Sequence, residues 1–135
     1  MANFNARLNR SVAEFRVGDL LEPAGAERFD LIVAQPPFIM RPPEVAEICF
    51  MHGGPRGDDI FRRLMRGACG SLKPAGEALV LCDLALRKDE DVAKYLSDEL
   101  GPCGLDLLAL HIAGVSLDTL ALIYAKFGSS DTGPP

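Results

Sequence analysis

Two short segments place polar or aromatic side chains where a ligand could bind. Asp19 follows the alternating segment 13–17, and Gln35-Pro36-Pro37-Phe38 follows the apolar run Phe29–Ala34. Successive prolines remove N–H donors that a strand needs, so the second segment is predicted to end a strand in a turn. In an open α/β sheet, ligands bind outside the carboxyl ends of the strands. We therefore expect Asp19 and Gln35 at the ligand-binding edge of a sheet.

Other patterns that could do chemistry are weaker. The glycine-rich segment Gly53–Gly57 does not follow a strand and lacks the Lys-Ser/Thr of a phosphate-binding loop, so a flexible loop is favoured. His52 and His111 are too isolated to predict a metal site. The cysteines show no C-x-x-C spacing and are predicted to be free thiols: Cys49, Cys69, Cys82 and Cys103.

The charged side chains near these segments have simple interpretations beside the functional ones. Asp19 could cap a loop through its carboxylate. Arg62, Arg63 and Arg66 form a basic helical face, which is usually a solvated surface but could contact an acidic partner or a phosphate. Arg41 lies beside the double proline and is the better placed candidate for a substrate contact.

The spacing of apolar residues predicts alternating helices and strands. Helices are predicted at 2–10, 58–72 and 89–100, and strands at 13–17, 29–34, 77–83, 107–112 and 119–127. The run Phe29–Ala34 suits a parallel strand covered on both faces. The last two strands are joined by a short connection and should be antiparallel. We therefore predict an α/β sandwich: a mostly parallel sheet with an antiparallel C-terminal edge.

Composition limits the class of protein. The chain has 135 residues, 48% of them hydrophobic, which suits one domain over 1–127 with a flexible tail at 128–135. A net charge of -5 gives no broad basic surface, so nucleic-acid binding by the chain alone is disfavoured. No apolar run approaches the roughly 20 residues of a membrane helix. No targeting segment is recognised, and a cytoplasmic location is expected.

Taken together, the motifs resemble a known family. The segment Phe29 to Phe38 resembles the fourth motif of amino-methyltransferases, in which Asn, Asp or Ser precedes Pro-Pro-Phe or Pro-Pro-Tyr. Segments 5–9, 17–20 and 53–59 are similar to other parts of the small branch of class I, S-adenosylmethionine-dependent methyltransferases. That branch contains ribosomal RNA guanine-N2 and release-factor glutamine methyltransferases. The likeness covers about residues 5–127, and Gln35 stands where the family usually has Asn.

The resemblance implies roles for individual residues. The Gln35 side-chain oxygen and the Pro36 carbonyl would accept the two N–H bonds of a planar amine, and Phe38, after Pro37, would stack on its plane. Asp19, followed by Leu20, would reach the adenine amino group of S-adenosylmethionine. The substrate would be a base amine in RNA, a protein amide or a small molecule.

The resemblance also implies that part of the fold is supplied from elsewhere. The glycine-rich first strand and the acidic residue after the second strand have no counterpart, so a partial Rossmann-like sandwich lacking the first two strands is expected. An exposed sheet edge would then favour a homo-oligomer or hetero-oligomer that completes the cofactor site, although the strands could also repack. The alternatives are an inactive methyltransferase-fold subunit used for binding or scaffolding, and a pocket reused in small-molecule biosynthesis.

Overall fold

A computed structural model describes residues 1–44 and 46–128. The backbone divides into two compact units, Met1–Leu105 and Asp106–Pro135. The first contains α1 (Ala2–Leu8), β1 (Phe29–Ala34), α2 (Asp59–Ser71), β2 (Leu72–Val80) and α3 (Val92–Leu100), with 3-10 turns at Glu22–Ala24 and Gly101–Cys103. The second contains α4 (Leu117–Gly128). The predicted tail beyond Gly128 lies outside the described residues. Within the described ranges, no helix is both long and apolar enough to cross a membrane.

A β-α-β unit is the centre of the first unit. β1 and β2 are parallel, with Leu31 opposite Glu77 and Ala34 opposite Val80, and α2 makes the crossover that parallel strands require. α2 forms because apolar residues recur at helical spacing, so that one side of the helix can be buried against β1 and β2. Ile32, Ala68 and Leu72 form the buried cluster between them. The α/β class, the strand at 29–34 and the helix that follows the glycine-rich loop are confirmed.

A second cluster joins α2 to α3. Phe61 and Met65 of α2 pack with Tyr95, Leu96 and Leu100 of α3. α3 begins after Asp91, whose carboxylate accepts hydrogen bonds from the N–H groups of Ala93 and Lys94. The helix predicted at 89–100 is confirmed, with its start moved to the first residue after this cap.

Within the described part of the first unit, no element covers the other face of the sheet, contrary to the expectation that β1 is covered on both sides. Successive side chains of a strand point to opposite faces, and α2 covers only the face that carries Ile32. Leu31 and Val33 on β1 and Leu79 on β2 remain 56%, 66% and 65% exposed. An apolar surface is therefore present on a sheet of two strands.

β2 begins earlier and ends earlier than the predicted strand at 77–83. Phe29 pairs with Leu72, and the next pair along β1 is Leu31 with Glu77, so β2 carries an irregularity around Pro74. Proline lacks the N–H that a ladder needs, and Ala75 takes a positive φ of 63°. The turn-forming residues that were expected to separate helix from strand lie inside the first part of the strand instead.

The strand predicted at 13–17 is wrong. Residues 11–17 have no regular structure, and Val17 is fully exposed. A strand needs a neighbour to pair its backbone groups, and no described segment pairs with this one. The preceding helix is confirmed as α1.

The antiparallel C-terminal edge is also wrong. Residues 105–116 have no regular structure, and the segment predicted as the last strand is α4. The Ser116 side-chain oxygen accepts a hydrogen bond from the Thr119 N–H, and the Ser116 carbonyl accepts one from the Leu120 N–H, as at a helix start. A continuous apolar run does not distinguish strand from helix by periodicity. The sheet of the described residues is thus two parallel strands.

Two of the four cysteines are bonded to each other, against the prediction of free thiols. Cys69 of α2 and Cys103 after α3 form a disulfide, with Cα atoms 5.5 Å apart. The pair arises because α2 packs on α3, and a sequence separation of 34 residues gives no local sign of it. Cys49 and Cys82 are free, as expected.

Candidate functional site

The double-proline segment lies at the carboxyl end of β1. Gln35 follows the last residue of the strand, and the Leu81 N–H donates to the Ala34 carbonyl at 3.1 Å, so the end of β2 is adjacent. Gln35, Pro36, Pro37 and Phe38 line a cleft of about 250 Å³ together with Ile39, Phe50 and Met51. The structure therefore places the predicted motif beside a cleft at the edge where α/β sheets bind ligands.

The double-proline segment contains hydrogen-bond acceptors that the described residues leave without a donor. Gln35 is exposed, Pro36 is buried and Phe38 is half-buried. No hydrogen bond joins the Gln35 side chain or the Pro36 carbonyl to another residue of the described ranges. Residues that carry an amide oxygen, a backbone carbonyl and an aromatic ring thus line one cleft, a set of residue types that suits a planar group bearing N–H donors.

The glycine-rich loop holds the motif by close backbone packing. The Gly53 N–H donates to the Ile39 carbonyl at 3.0 Å, and the Arg41 N–H donates to the Gly54 carbonyl at 3.0 Å. A Cβ on Gly53 would overlap the Pro37 carbonyl, and one on Gly57 would overlap the Phe38 carbonyl. The loop is therefore packed against the site, and its glycines permit that approach.

A turn that sequence reasoning missed supplies two further residues to the lining of the cleft, Phe50 and Met51. The Ile48 carbonyl accepts from the N–H groups of Met51 and His52, both at 2.9 Å. The buried His52 ring accepts the Ile48 N–H at Nδ1, also at 2.9 Å. Phe50 lies at the apex of this turn. His52 lies in a loop, as predicted. The hydrogen bonds of the turn 48–52 follow no periodic pattern, so the sequence alone did not predict the turn.

A buried carboxylate lies where the glycine-rich loop enters α2. Asp58 is 1% exposed, and the Tyr95 hydroxyl donates to its Oδ2 at 2.7 Å while Arg62 Nη2 donates to its Oδ1 at 3.2 Å. Burial, and next the hydrogen bond with Asp58, raises the pKa of Tyr95, so the hydroxyl stays a donor. This cluster fixes the end of the loop between α2 and α3.

Asp19 and Leu20 lie in a second cleft and not with Gln35. This cleft measures about 290 Å³ and is also lined by Arg63 and Gly67. Arg63 donates to Asp19 Oδ2 in an ion pair between half-exposed side chains. Because segment 13–17 is not a strand, the expectation that Asp19 follows the carboxyl end of a strand is wrong.

The arginines that were candidates for substrate contacts form ion pairs with carboxylates of the same chain. Arg66 pairs with Glu99 at 2.6 Å, and Arg62 pairs with Asp59 at 2.5 Å. Arg41 Nη1 lies 3.4 Å from the Glu47 carboxylate. The basic face of α2 is therefore an intramolecular ion-pair network.

Three curated proteins are similar to this chain. A protein named release factor glutamine methyltransferase from Geobacter sulfurreducens is 35% identical over 106 residues, which cover 72% of this chain and 37% of that protein. One of the same name from Koribacter versatilis is 35% identical over 86 residues, 56% of this chain and 31% of that protein. The ribosomal protein uL3 glutamine methyltransferase of Bradyrhizobium diazoefficiens is 36% identical over 76 residues, 50% of this chain and 23% of that protein.

The likeness is one of sequence and covers part of each relative. The chain spans about a third of the length of the first relatives that it matches. No family model matches the chain, and no solved structure matches it. The matches nevertheless agree with the resemblance carried by the double-proline motif. The chain belongs to the class I, S-adenosylmethionine-dependent methyltransferases, in the branch that includes the glutamine methyltransferases.

Proposed function

We propose that this chain supplies the acceptor-binding part of a methyltransferase that methylates the side-chain amide nitrogen of a glutamine in a protein. The observation that carries the proposal is the position of Gln35 to Phe38 at the carboxyl end of β1, where these residues line a cleft. The names of the three relatives support a glutamine acceptor. The net charge of -5 favours a protein over RNA as the substrate.

The chemistry required of the cleft follows from the group that would accept the methyl, a glutamine side-chain amide. An amide nitrogen is a poor nucleophile because its lone pair is delocalised over the planar group. The Gln35 side-chain oxygen and the Pro36 carbonyl would each accept one N–H of that amide and favour the pyramidal nitrogen. The Phe38 ring would stack on the amide plane and fix its orientation. S-adenosylmethionine, when bound, supplies an electrophilic methyl group, and alignment of the amide with that group provides much of the rate by proximity.

The residues present fit only part of the cofactor. The Arg63 contact uses Asp19 Oδ2, so Oδ1 is the oxygen that would accept the adenine amino group, beside Leu20. The two clefts, about 250 and 290 Å³, lie at the lower limit of the roughly 300–1,000 Å³ of sites that enclose a small molecule. We propose that a further segment, from a partner chain or a second copy, completes the cofactor site.

The open sheet supports that completion. Leu31, Val33 and Leu79 expose apolar side chains on the face away from α2. The two strands also leave unpaired backbone groups at their outer edges. A larger, mostly parallel sheet assembled on these strands would bury the apolar side chains and pair the backbone groups at the edges.

The test is methyl transfer by the complemented protein. The chain is combined with a polypeptide that carries the amino-terminal part of a relative, and both are incubated with radiolabelled S-adenosylmethionine and a glutamine-containing peptide. We expect label on the glutamine amide, and Gln35→Ala should lower the rate about 100-fold. Lys88→Ala, at an exposed position outside both clefts, is the control and should keep full activity.

Three results would contradict the proposal. Stable complex formation without any transfer would identify a binding or scaffolding subunit instead. Label on a base of ribosomal RNA, and none on the peptide, would show that the methylated group is a base amine and not a glutamine amide. Equal rates for Gln35→Ala and the unsubstituted chain would remove Gln35 from the mechanism.

A further inference from the structure

The acceptor cleft has an aromatic residue that the double-proline motif does not contain. Phe50 lines the cleft together with Phe38 and Gln35. Its side chain is 79% exposed, whereas Phe61 in the core is 5% exposed. A phenylalanine ring gains most of its stabilising effect by burial. Phe50 obtains little of that within the chain.

The turn that carries Phe50 is fixed by hydrogen bonds. The Ile48 carbonyl accepts two N–H groups across the turn, and the buried His52 ring accepts the Ile48 N–H. His52 is 4% exposed, so this bond is shielded from water. The backbone of the turn is thus fixed by hydrogen bonds at both ends, although Phe50 at its apex is exposed.

The same turn is bonded to the backbone directly after Phe38. The Ile39 N–H donates to the Met51 carbonyl at 3.1 Å, and the Ile39 carbonyl accepts the Gly53 N–H at 3.0 Å. Ile39 and His52 form a parallel bridge. These bonds set the spacing between the segment that carries Phe38 and the turn that carries Phe50.

The lining matches what a planar amide on an aliphatic stem requires. Ligand sites combine apolar and aromatic side chains with a few polar groups that fix orientation. Gln35 and Pro36 are lining residues that carry hydrogen-bond acceptors, and Phe38 and Phe50 are the aromatic residues of the lining. One ring is part of the motif, and the other is presented by the turn.

We propose that Phe50 is a specificity-determining residue that contacts the acceptor side chain as the second aromatic wall of the cleft, with His52 as its positioning residue. The inference rests on the proposed function, because it names the group that the same cleft binds. The ligand class is a planar amide with its methylene stem, as in a glutamine side chain.

Ring signals of the isolated chain test this without catalysis. The chain is produced with ring-labelled phenylalanine, and nuclear magnetic resonance spectra are recorded during titration with N-acetylglutamine methylamide. We expect the Phe38 and Phe50 signals to shift together. Phe4, 64% exposed on α1 and outside the cleft, is the matched control and should not shift.

Variants of Phe50 provide the second measurement. Phe50→Ala should raise the dissociation constant of the probe about tenfold, and Phe50→Tyr should restore it, because a ring is again present. In the complemented enzyme, Phe50→Ala should raise KM with kcat nearly unchanged. Phe4→Ala should change neither. His52→Ala should reproduce the KM effect with Phe50 intact.

The outcomes separate this inference from the proposed function. A shift of Phe38 without Phe50 would overturn the role of Phe50 and leave the acceptor site in place. Shifts of both rings without methyl transfer by the complemented enzyme would reject the methyltransferase activity and keep the binding site. If neither ring responds to the probe, the inference is wrong.

Discussion

The Tyr95 hydroxyl on α3 donates a hydrogen bond of 2.7 Å to the carboxylate of Asp58, the residue directly before α2. Asp58 is almost completely buried, and Arg62 binds its other oxygen. A buried carboxylate is tolerated only when it is paired and hydrogen-bonded. The bond therefore joins the end of the glycine-rich loop to the core between α2 and α3.

Tyr95→Phe tests the contribution of this bond. The phenyl ring keeps the packing against Phe61 and Met65, but Asp58 Oδ2 loses its hydroxyl donor. We expect the free energy of unfolding to fall by about 1–3 kcal/mol, measured by urea denaturation. An unchanged free energy of unfolding would show that the hydrogen bond from Tyr95 to Asp58 does not stabilise the fold.

Gly57→Ala tests the packing of the loop on the motif. Gly57 has a φ of 83°, and an added Cβ would overlap the Phe38 carbonyl. We expect a loss of at least about 1 kcal/mol of stability and a perturbed Phe38 ring signal. The control is Gly70→Ala in α2, where a Cβ meets nothing within 4 Å. That variant should gain up to about 1 kcal/mol, since alanine is the better helix former. Equal effects of the two exchanges would contradict the close packing.

The sequence correctly predicted the secondary-structure elements that form because of the spacing of their own residues. In α2 the apolar residues recur every three or four positions, and one buried face follows from that spacing alone. Residues 120–125, within the strand predicted at 119–127, form an unbroken apolar run, which satisfies strand and helix alike. The Ser116 hydrogen bonds that start α4 leave no sign in that apolar pattern. The strand at 13–17 failed because pairing depends on a neighbour that the pattern does not reveal.

In the candidate site, too, the features with a local cause were predicted, and those that depend on distant contacts were not. Two prolines after a β-branched run end a strand, so the position of Gln35 followed from the sequence. Phe50 and Met51 were missed because their place depends on backbone bonds to Ile39, and such bonds leave no periodic pattern. Asp19 was misplaced because the strand predicted before it does not form.

Reduction should weaken the contact between α2 and α3. The Cys69–Cys103 disulfide closes a loop of 34 residues in sequence separation, and opening it restores conformational freedom to the unfolded chain. We expect dithiothreitol to lower the free energy of unfolding by about 2–4 kcal/mol. A Cys49→Ser variant, which keeps the disulfide, should respond equally, and Cys103→Ser should not respond. Alkylation of all four cysteines in the unreduced, denatured chain would contradict the bond.

The two free thiols should differ in reactivity. Burial, and next the Asp83 carboxylate, raises the pKa of Cys82 from 9.0 to about 11. At pH 8 the thiol is below that pKa and stays protonated, and its thiolate fraction falls about 100-fold relative to an unshifted thiol. Iodoacetamide should therefore label the exposed Cys49 first, as measured by peptide mass spectrometry. Equal labelling rates in the folded chain would contradict the burial of Cys82.

Val33→Lys tests the open sheet face as the site where the complementing segment binds. Val33 is 66% exposed, so lysine at this position leaves the core of the chain intact and its thermal unfolding should hardly change. An ammonium group on a face that becomes buried would lose its water without gaining a partner. We expect the affinity for the complementing polypeptide to fall at least about tenfold, measured by sedimentation. Val17→Lys is the control, since it makes the same exchange at a fully exposed position outside the sheet. Equal binding by both variants would exclude this face and leave the unpaired strand edges as the route of assembly.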